Sequence, residues 1–216
     1  MTARVVSDDA TGRAIAVEVL RAGGVVALPT DTVYGIGVAL ATPGGIERLF
    51  AAKRREPDKG IMLLLDSAAQ AGAIGVMTPA ATALASACWP GGLTVVVPRR
   101  PDVPLPDVLT GGAPTIGMRV PDHDAPRTLA VGVGPLPVTS ANVSGLPEAA
   151  DAAGILEQLG EAVDLVLDGG PAHGGPASTV VDCMGDRAVI LRVGAIPVAR
   201  IAGILDAAAV AHDVRG

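Results

Sequence analysis

A short set of residue types stands out for the chemistry it could do: Thr30 and Thr32; Lys53, Arg55 and Lys59; Thr115 and Arg119; Ser140 and Asn142; Ser178; and Arg192. These are hydroxyls, a carboxamide and cations. Arg119 and Arg192 lie within largely apolar segments, Ile-Gly-Met-Arg-Val and Val-Ile-Leu-Arg-Val. An arginine there is costly unless it finds an anion or faces solvent. Taken singly, each arginine reads as half of a surface ion pair, Thr30 and Thr32 as turn residues, and Ser140–Asn142 as a loop with side-chain–backbone hydrogen bonds. Taken together with Lys53, Arg55 and Lys59, the arginines would form a cationic cavity for a polyphosphate.

Other chemistries lack their residues. Lys53 and Lys59 are the only lysines and are followed by Arg54 and Gly60, so there is no P-loop Lys-Ser/Thr pair. Gly35-Ile-Gly37 and Gly132-Val-Gly134 both lack the last glycine of a dinucleotide fingerprint, and no serine sits in G-x-S-x-G. Cys88 and Cys183 are far apart and read as buried hydrophobes, and the three histidines are scattered, so no metal-ligand cluster is expected.

The elements that must position these residues alternate along the chain. The pattern predicts helices over 8–22, from Thr42-Pro43 to the Lys53 region, from Thr78-Pro79 to the Trp89 region, over 151–159 and over 197–205, with Asp124 capping a short helix. Strands are expected over 25–28, 61–65, 93–97, 115–120, 137–140, 163–167, 179–181 and 188–191. Most candidate residues fall at the ends of these strands, where open α/β sheets tend to bind ligands. Some strands adjoin across a turn, which predicts a mixed sheet in one α/β domain. Residues 99–113 read as a Pro- and Gly-rich loop.

Composition narrows the function. Half the residues are hydrophobic, but Phe50, Tyr34 and Trp89 are the only aromatics, so the core must be aliphatic. That argues against a base-stacking RNA platform, and a net charge of −6 argues against a broad basic surface. The opening has no signal-peptide pattern. The uncharged run 67–98 is rich in Ala, Gly, Ser and Thr and broken by Pro79, which reads as buried helix, turn and strand rather than a membrane span. A cytoplasmic protein is expected.

Eight segments, in order, carry a resemblance: Pro29-Thr-Asp-Thr-Val-Tyr-Gly-Ile-Gly37, Lys53-Arg-Arg55 with Lys59, Trp89-Pro-Gly-Gly-Leu-Thr94, Thr115-Ile-Gly-Met-Arg-Val-Pro121, Thr139-Ser-Ala-Asn-Val-Ser-Gly145, Asp168-Gly-Gly170, Ser178-Thr-Val-Val-Asp182 and Leu191-Arg-Val-Gly194. Together they resemble the YrdC-like family of threonylcarbamoyl-AMP synthases over roughly residues 24–195. The resemblance implies a twisted mixed sheet curled around a cationic groove, with residues 1–206 as the domain and 207–216 as a tail. It implies that Thr32, Arg119, Ser140 and Ser178 contact L-threonine. Lys53, Arg55, Lys59, Thr115, Asn142 and Arg192 would contact ATP, and Lys53, Arg55 and Arg192 would be the catalytic cations. Bicarbonate is the third substrate, Mg2+ accompanies ATP, and a separate transferase moves the product's acyl group to tRNA.

The sequence departs from the usual family pattern at Gly60-Ile61, at Val193, and at Glu148-Ala149-Ala150, which offers no hydroxyl. Two other readings of the same resemblance exist. One is a carbamoyl-adenylating module of the hydrogenase-maturation type, opposed by the lack of zinc-finger-like cysteines. The other is a divergent paralogue that acts as an RNA-binding, ribosome-associated protein, opposed by the acidic charge.

Overall fold

The structure, a computed structural model, describes residues 3–54, 56, 60–172 and 174–215. Among the described residues eleven strands form one mixed sheet: β1 (Arg4–Ser7), β2 (Val26–Leu28), β3 (Gly35–Gly37), β4 (Met62–Leu64), β5 (Leu93–Pro98), β6 (Thr115–Arg119), β7 (Leu136–Ser140), β8 (Leu165–Asp168), β9 (Thr179–Asp182), β10 (Arg187–Arg192) and β11 (Ala211–Val214). Their spatial order is β1-β8-β2-β3-β7-β4-β6-β5-β9-β10-β11. The helices are α1 (Ala10–Arg21), α2 (Gly45–Lys53), α3 (Ala68–Ile74), α4 (Pro79–Cys88), α5 (Asp107–Thr110), α6 (Asp124–Val133), α7 (Ala152–Leu159) and α8 (Val198–Ala207). No helix among the described residues is long and apolar enough to cross a membrane.

The capping chemistry accounts for the helix starts. Thr78 accepts from the Ala81 amide and Pro79 opens α4, as the Thr-Pro pair predicts. Asp9 caps α1 through the Gly12 amide, and His123, not Asp124, caps α6. The Thr42-Pro43 pair does not start α2; Gly44, in the left-handed region, stands before it and the helix begins at Gly45. The segment expected to be a tail carries β11, which pairs in parallel with β10.

The central strands alternate faces with period two. On β4, β5 and β6 one face is Leu63, Val95, Val97, Ile116 and Met118, all buried in the aliphatic core. The opposite face presents Met62, Leu64, Thr94, Val96, Thr115, Gly117 and Arg119 to a cavity. Burying each large aliphatic side chain stabilises the fold by about 1.5–3 kcal/mol relative to exposure. Leu64 on that second face is also buried, in a smaller cluster with Leu136 and Val138.

The cavity shows how far the sheet curls. Residues from β3, β7, β4, β6, β5 and β10 line it, with Val180 from β9. Those seven neighbouring strands would span about 29 Å if flat, at about 4.8 Å per interval. A single cavity of about 360 Å³ touches them all, so the sheet bends into a trough. Gly35 fits the crowding: a Cβ there would come within 2.6 Å of Val138 on β7.

Candidate functional site

One end of the trough is organised by Arg119, 4% exposed at the end of β6. Its Nε donates to the Gly91 carbonyl at 2.9 Å, Nη1 to Thr32 Oγ1 at 2.9 Å and Nη2 to Asp31 Oδ1 at 2.6 Å. Burial pushes its pKa down while Asp31 opposes the shift. A guanidinium has five N–H donors, so two remain beyond these three bonds. Thr30 builds the turn that carries Asp31 and Thr32: its hydroxyl donates to the Val33 carbonyl at 2.7 Å and accepts from the Thr32 amide at 3.1 Å. Thr32 and Thr30 hydroxyls are also 3.1 Å apart. Tyr34, buried just beyond, donates to Gly170 O at 2.6 Å and accepts from the Gly169 amide at 3.0 Å. That locks the Thr30–Gly35 segment to the Asp168-Gly169-Gly170 turn, and burial raises the phenol's pKa.

The opposite wall is organised by Arg192, and a bulge is what puts it there. Ile190 of β10 pairs with Val181, and both are buried in the core. A regular ladder would then set Arg192 opposite Thr179 and on the Ile190 face. Instead the register shifts by one residue and Arg192 pairs with Val180, a cavity-lining residue. Bulges re-aim side chains in this way, and the extra residue delivers Arg192 to the trough. Its Nε and Nη2 donate to the Ser178 carbonyl at 3.1 and 2.9 Å, and Nη2 also reaches Ser178 Oγ at 3.1 Å. Nη1 has no partner among the described residues. Partial burial lowers the Arg192 pKa, the Glu148 carboxylate raises it, and Arg119 lowers it further.

The chain after the bulge is pinned. The Thr179 hydroxyl accepts from the Gly194 and Ile196 amides at 3.0 and 2.9 Å and donates to Ile196 O at 2.7 Å. A Cβ on Gly194 would meet Ala177 O at 2.1 Å, so only glycine fits that crossing. Thr94 joins the two walls. It is 2% exposed, its hydroxyl lies 2.8 Å from Ser178 Oγ, and the strand register sets it opposite Arg119.

Lys53 is the last residue of α2 and is buried, 2% exposed. Its ammonium donates to the Ser140 carbonyl, to Asn142 O at 2.7 Å, to Asn142 Oδ1 at 3.0 Å and to Ser140 Oγ at 3.3 Å. Ser140 Oγ donates to Asn142 Oδ1 at 2.6 Å, and Asn142 Nδ2 donates to Leu146 O at 2.6 Å. The three residues form one clamp between α2 and the loop after β7. Ser140 reaches the cavity; Lys53 and Asn142 stand behind it, outside the lining.

Of the residues the sequence singles out, Thr30, Thr32, Thr115, Arg119, Ser140, Ser178 and Arg192 therefore meet in one cavity. Thr115 and Arg119 sit at opposite ends of β6, about 13 Å apart at 3.3 Å per residue, which gives the trough room for a two-part ligand. Arg55 and Lys59 lie outside the described residues. Three residues escaped the sequence reading of the site. Thr94 is hidden as one hydroxyl in an apolar strand. Asp31 was legible only as a motif member, because its partner Arg119 lies 88 residues away. Glu148, noted for the hydroxyl missing around it, lines the cavity. Cys88 and Cys183 are free and buried, with burial pushing the Cys183 thiol up to about 12.

The Sua5/YciO/YrdC family model, described as telomere recombination, matches residues 18–194. This chain belongs to the Sua5/YciO/YrdC family. A Mycobacterium leprae protein provisionally named threonylcarbamoyl-AMP synthase is 41% identical over 197 residues, 91% of this chain and 89% of that protein. The threonylcarbamoyl-AMP synthase of Pyrococcus abyssi is 34% identical over 193 residues, 88% of this chain and 56% of that protein. The crystal structure of P. abyssi Sua5 complexed with L-threonine superposes with a TM-score of 0.87 at 30% identity, covering 97% of this chain and 61% of that one. The chain thus spans most of the M. leprae relative and little more than half of the P. abyssi protein.

Proposed function

We propose that this Sua5/YciO/YrdC member is a nucleotidyltransferase that makes threonylcarbamoyl-AMP from L-threonine, bicarbonate and ATP and releases pyrophosphate. A separate transferase then moves the threonylcarbamoyl group to an adenosine of tRNA. The observation that carries this reading is the meeting of Thr32, Arg119, Ser140 and Ser178 with Thr115 and Arg192 in one trough long enough for an amino acid and a nucleotide. The relatives' threonylcarbamoyl-AMP synthase names and the threonine complex of P. abyssi Sua5 support it.

The threonine amine attacks the carbon of CO2, opening a C=O π bond, or of bicarbonate, breaking a C–O bond with loss of water, and the nitrogen gives up a proton as the carbamate forms. A carbamate oxygen then attacks the α-phosphorus, and the bond to the β-phosphate oxygen breaks with loss of pyrophosphate. Neither step needs a covalent nucleophile from the protein; they need alignment and neutralised charge. The remaining N–H donors of Arg119 suit the amino-acid carboxylate, and the Thr32, Ser140 and Ser178 hydroxyls suit its polar groups. Arg192 with its unspent Nη1, together with Arg55 and Lys59, suits the phosphates, and Thr115 the nucleotide. Lys53 and Asn142 act by holding Ser140. Among the described residues no group of His, Cys, Asp or Glu is arranged to hold a metal ion. Mg2+ would thus enter on the ATP phosphates, its usual mode at such sites, and neutralise charge there.

The test is pyrophosphate release from ATP and bicarbonate with L-threonine, serine, alanine or no amino acid. Release that requires threonine and bicarbonate is expected. No release from folded protein would overturn the proposal.

A further inference from the structure

The trough has one feature at odds with a site for a polyanion. Among the described residues its charged lining is Arg119, Arg192 and Glu148. Arg119 is already neutralised by Asp31 at 2.6 Å. Arg192 faces Glu148 across the cavity, close enough for the carboxylate to favour the charged guanidinium, yet the two make no ion pair within 4.0 Å. Glu148 itself has no hydrogen bond or ion pair among the described residues.

The carboxylate is not on a loose loop. Asn142 Nδ2 holds Leu146 O at 2.6 Å, and Gln158 Nε2 holds Pro147 O at 3.1 Å. On the other side Ala149 is buried and the Ala172 amide donates to Ala150 O at 2.7 Å. The backbone on both sides of Glu148 is fixed, and its exposed side chain lines the trough.

A ligand that brings phosphates to Arg192 must bring them towards this charge. The repulsion scales with the net charge of the ligand. Free ATP carries two more negative charges than its magnesium complex and bears the larger penalty. We infer that Glu148 is a specificity-determining residue that makes the trough select the magnesium-complexed nucleotide over the free polyphosphate. This rests on the nucleotide reading of the site and adds to it a residue and a substrate form.

The test is calorimetric titration of ATP into the full chain, with Mg2+ and with a chelator, for the wild type and Glu148→Gln. The ratio of the metal-free Kd to the magnesium-ATP Kd is expected to fall about three- to tenfold in the variant. The change should come from tighter binding of free ATP and should shrink at high salt. An unchanged ratio, or equal tightening of both forms, overturns the inference while leaving the nucleotide site intact. Loss of magnesium-ATP binding in the variant also overturns it, because Glu148 would then be a direct contact. No ATP binding by the wild type in either form overturns the nucleotide reading as well.

Discussion

The two arginines of the trough are built differently. Arg119 is buried, bonded through all three nitrogens and paired with Asp31, and it is already engaged before any ligand arrives. Arg192 is exposed, leans on one serine, keeps a nitrogen unspent and faces a carboxylate it does not touch. Arg119 therefore serves both fold and site, since it ties the Thr30–Val33 turn to the Gly91 turn. Arg192 serves mainly the site. One side chain is positioned by its own bonds, the other by the backbone register beneath it.

Substitutions should separate these roles. The largest effect is expected from Arg119→Ala, which leaves Asp31 without its partner and removes three hydrogen bonds. Chemical denaturation should register a loss of about 3–5 kcal/mol, together with loss of threonine-dependent turnover. A fully stable variant would show that Arg119 is no structural element. Arg192→Ala should be milder on the fold, within about 1 kcal/mol in the same denaturation series. Its ATP turnover should nevertheless fall about 100-fold or more. If both arginines behave alike in the two assays, the contrast between them fails. Smallest is Thr94→Val, which removes the hydroxyl beside Ser178 between the two walls. Steady-state kinetics should register a rise of about three- to tenfold in the threonine requirement, the worth of one hydrogen bond. A change confined to the ATP requirement would assign Thr94 to the Arg192 side alone.

The ordered segments made the family, the mixed sheet and most of the site legible before the structure. Short local signals did so because Thr30–Thr32, Arg119, Ser140, Ser178 and Arg192 each sit at or near a strand end. What stayed illegible depends on partners distant in sequence. β1 and β11 are edge strands whose register comes from β8 and β10, and nothing in their own four residues demands it. β3 reads as a glycine loop until Val138 is seen pressing on Gly35. α3 hides within an uncharged run that offers no amphipathic contrast. Lys53 reads as a phosphate ligand from its type; its burial against Ser140 and Asn142 emerges only when α2 is docked beside β7. For the same reason, truncating Lys53 would leave buried acceptors unsatisfied, and lost activity in such a variant would not by itself make it a ligand contact.

The irregularity in β10 sets the direction of the Arg192 side chain through the ladder, which no single side chain does. Counting from Ile190, Arg192 belongs by parity to the core face, and the surplus residue reverses that parity. Deleting Leu191 would restore even pairing and leave the guanidinium opposite Val180 on the cavity face, whereas straightening the strand at its present length would turn it into the aliphatic layer.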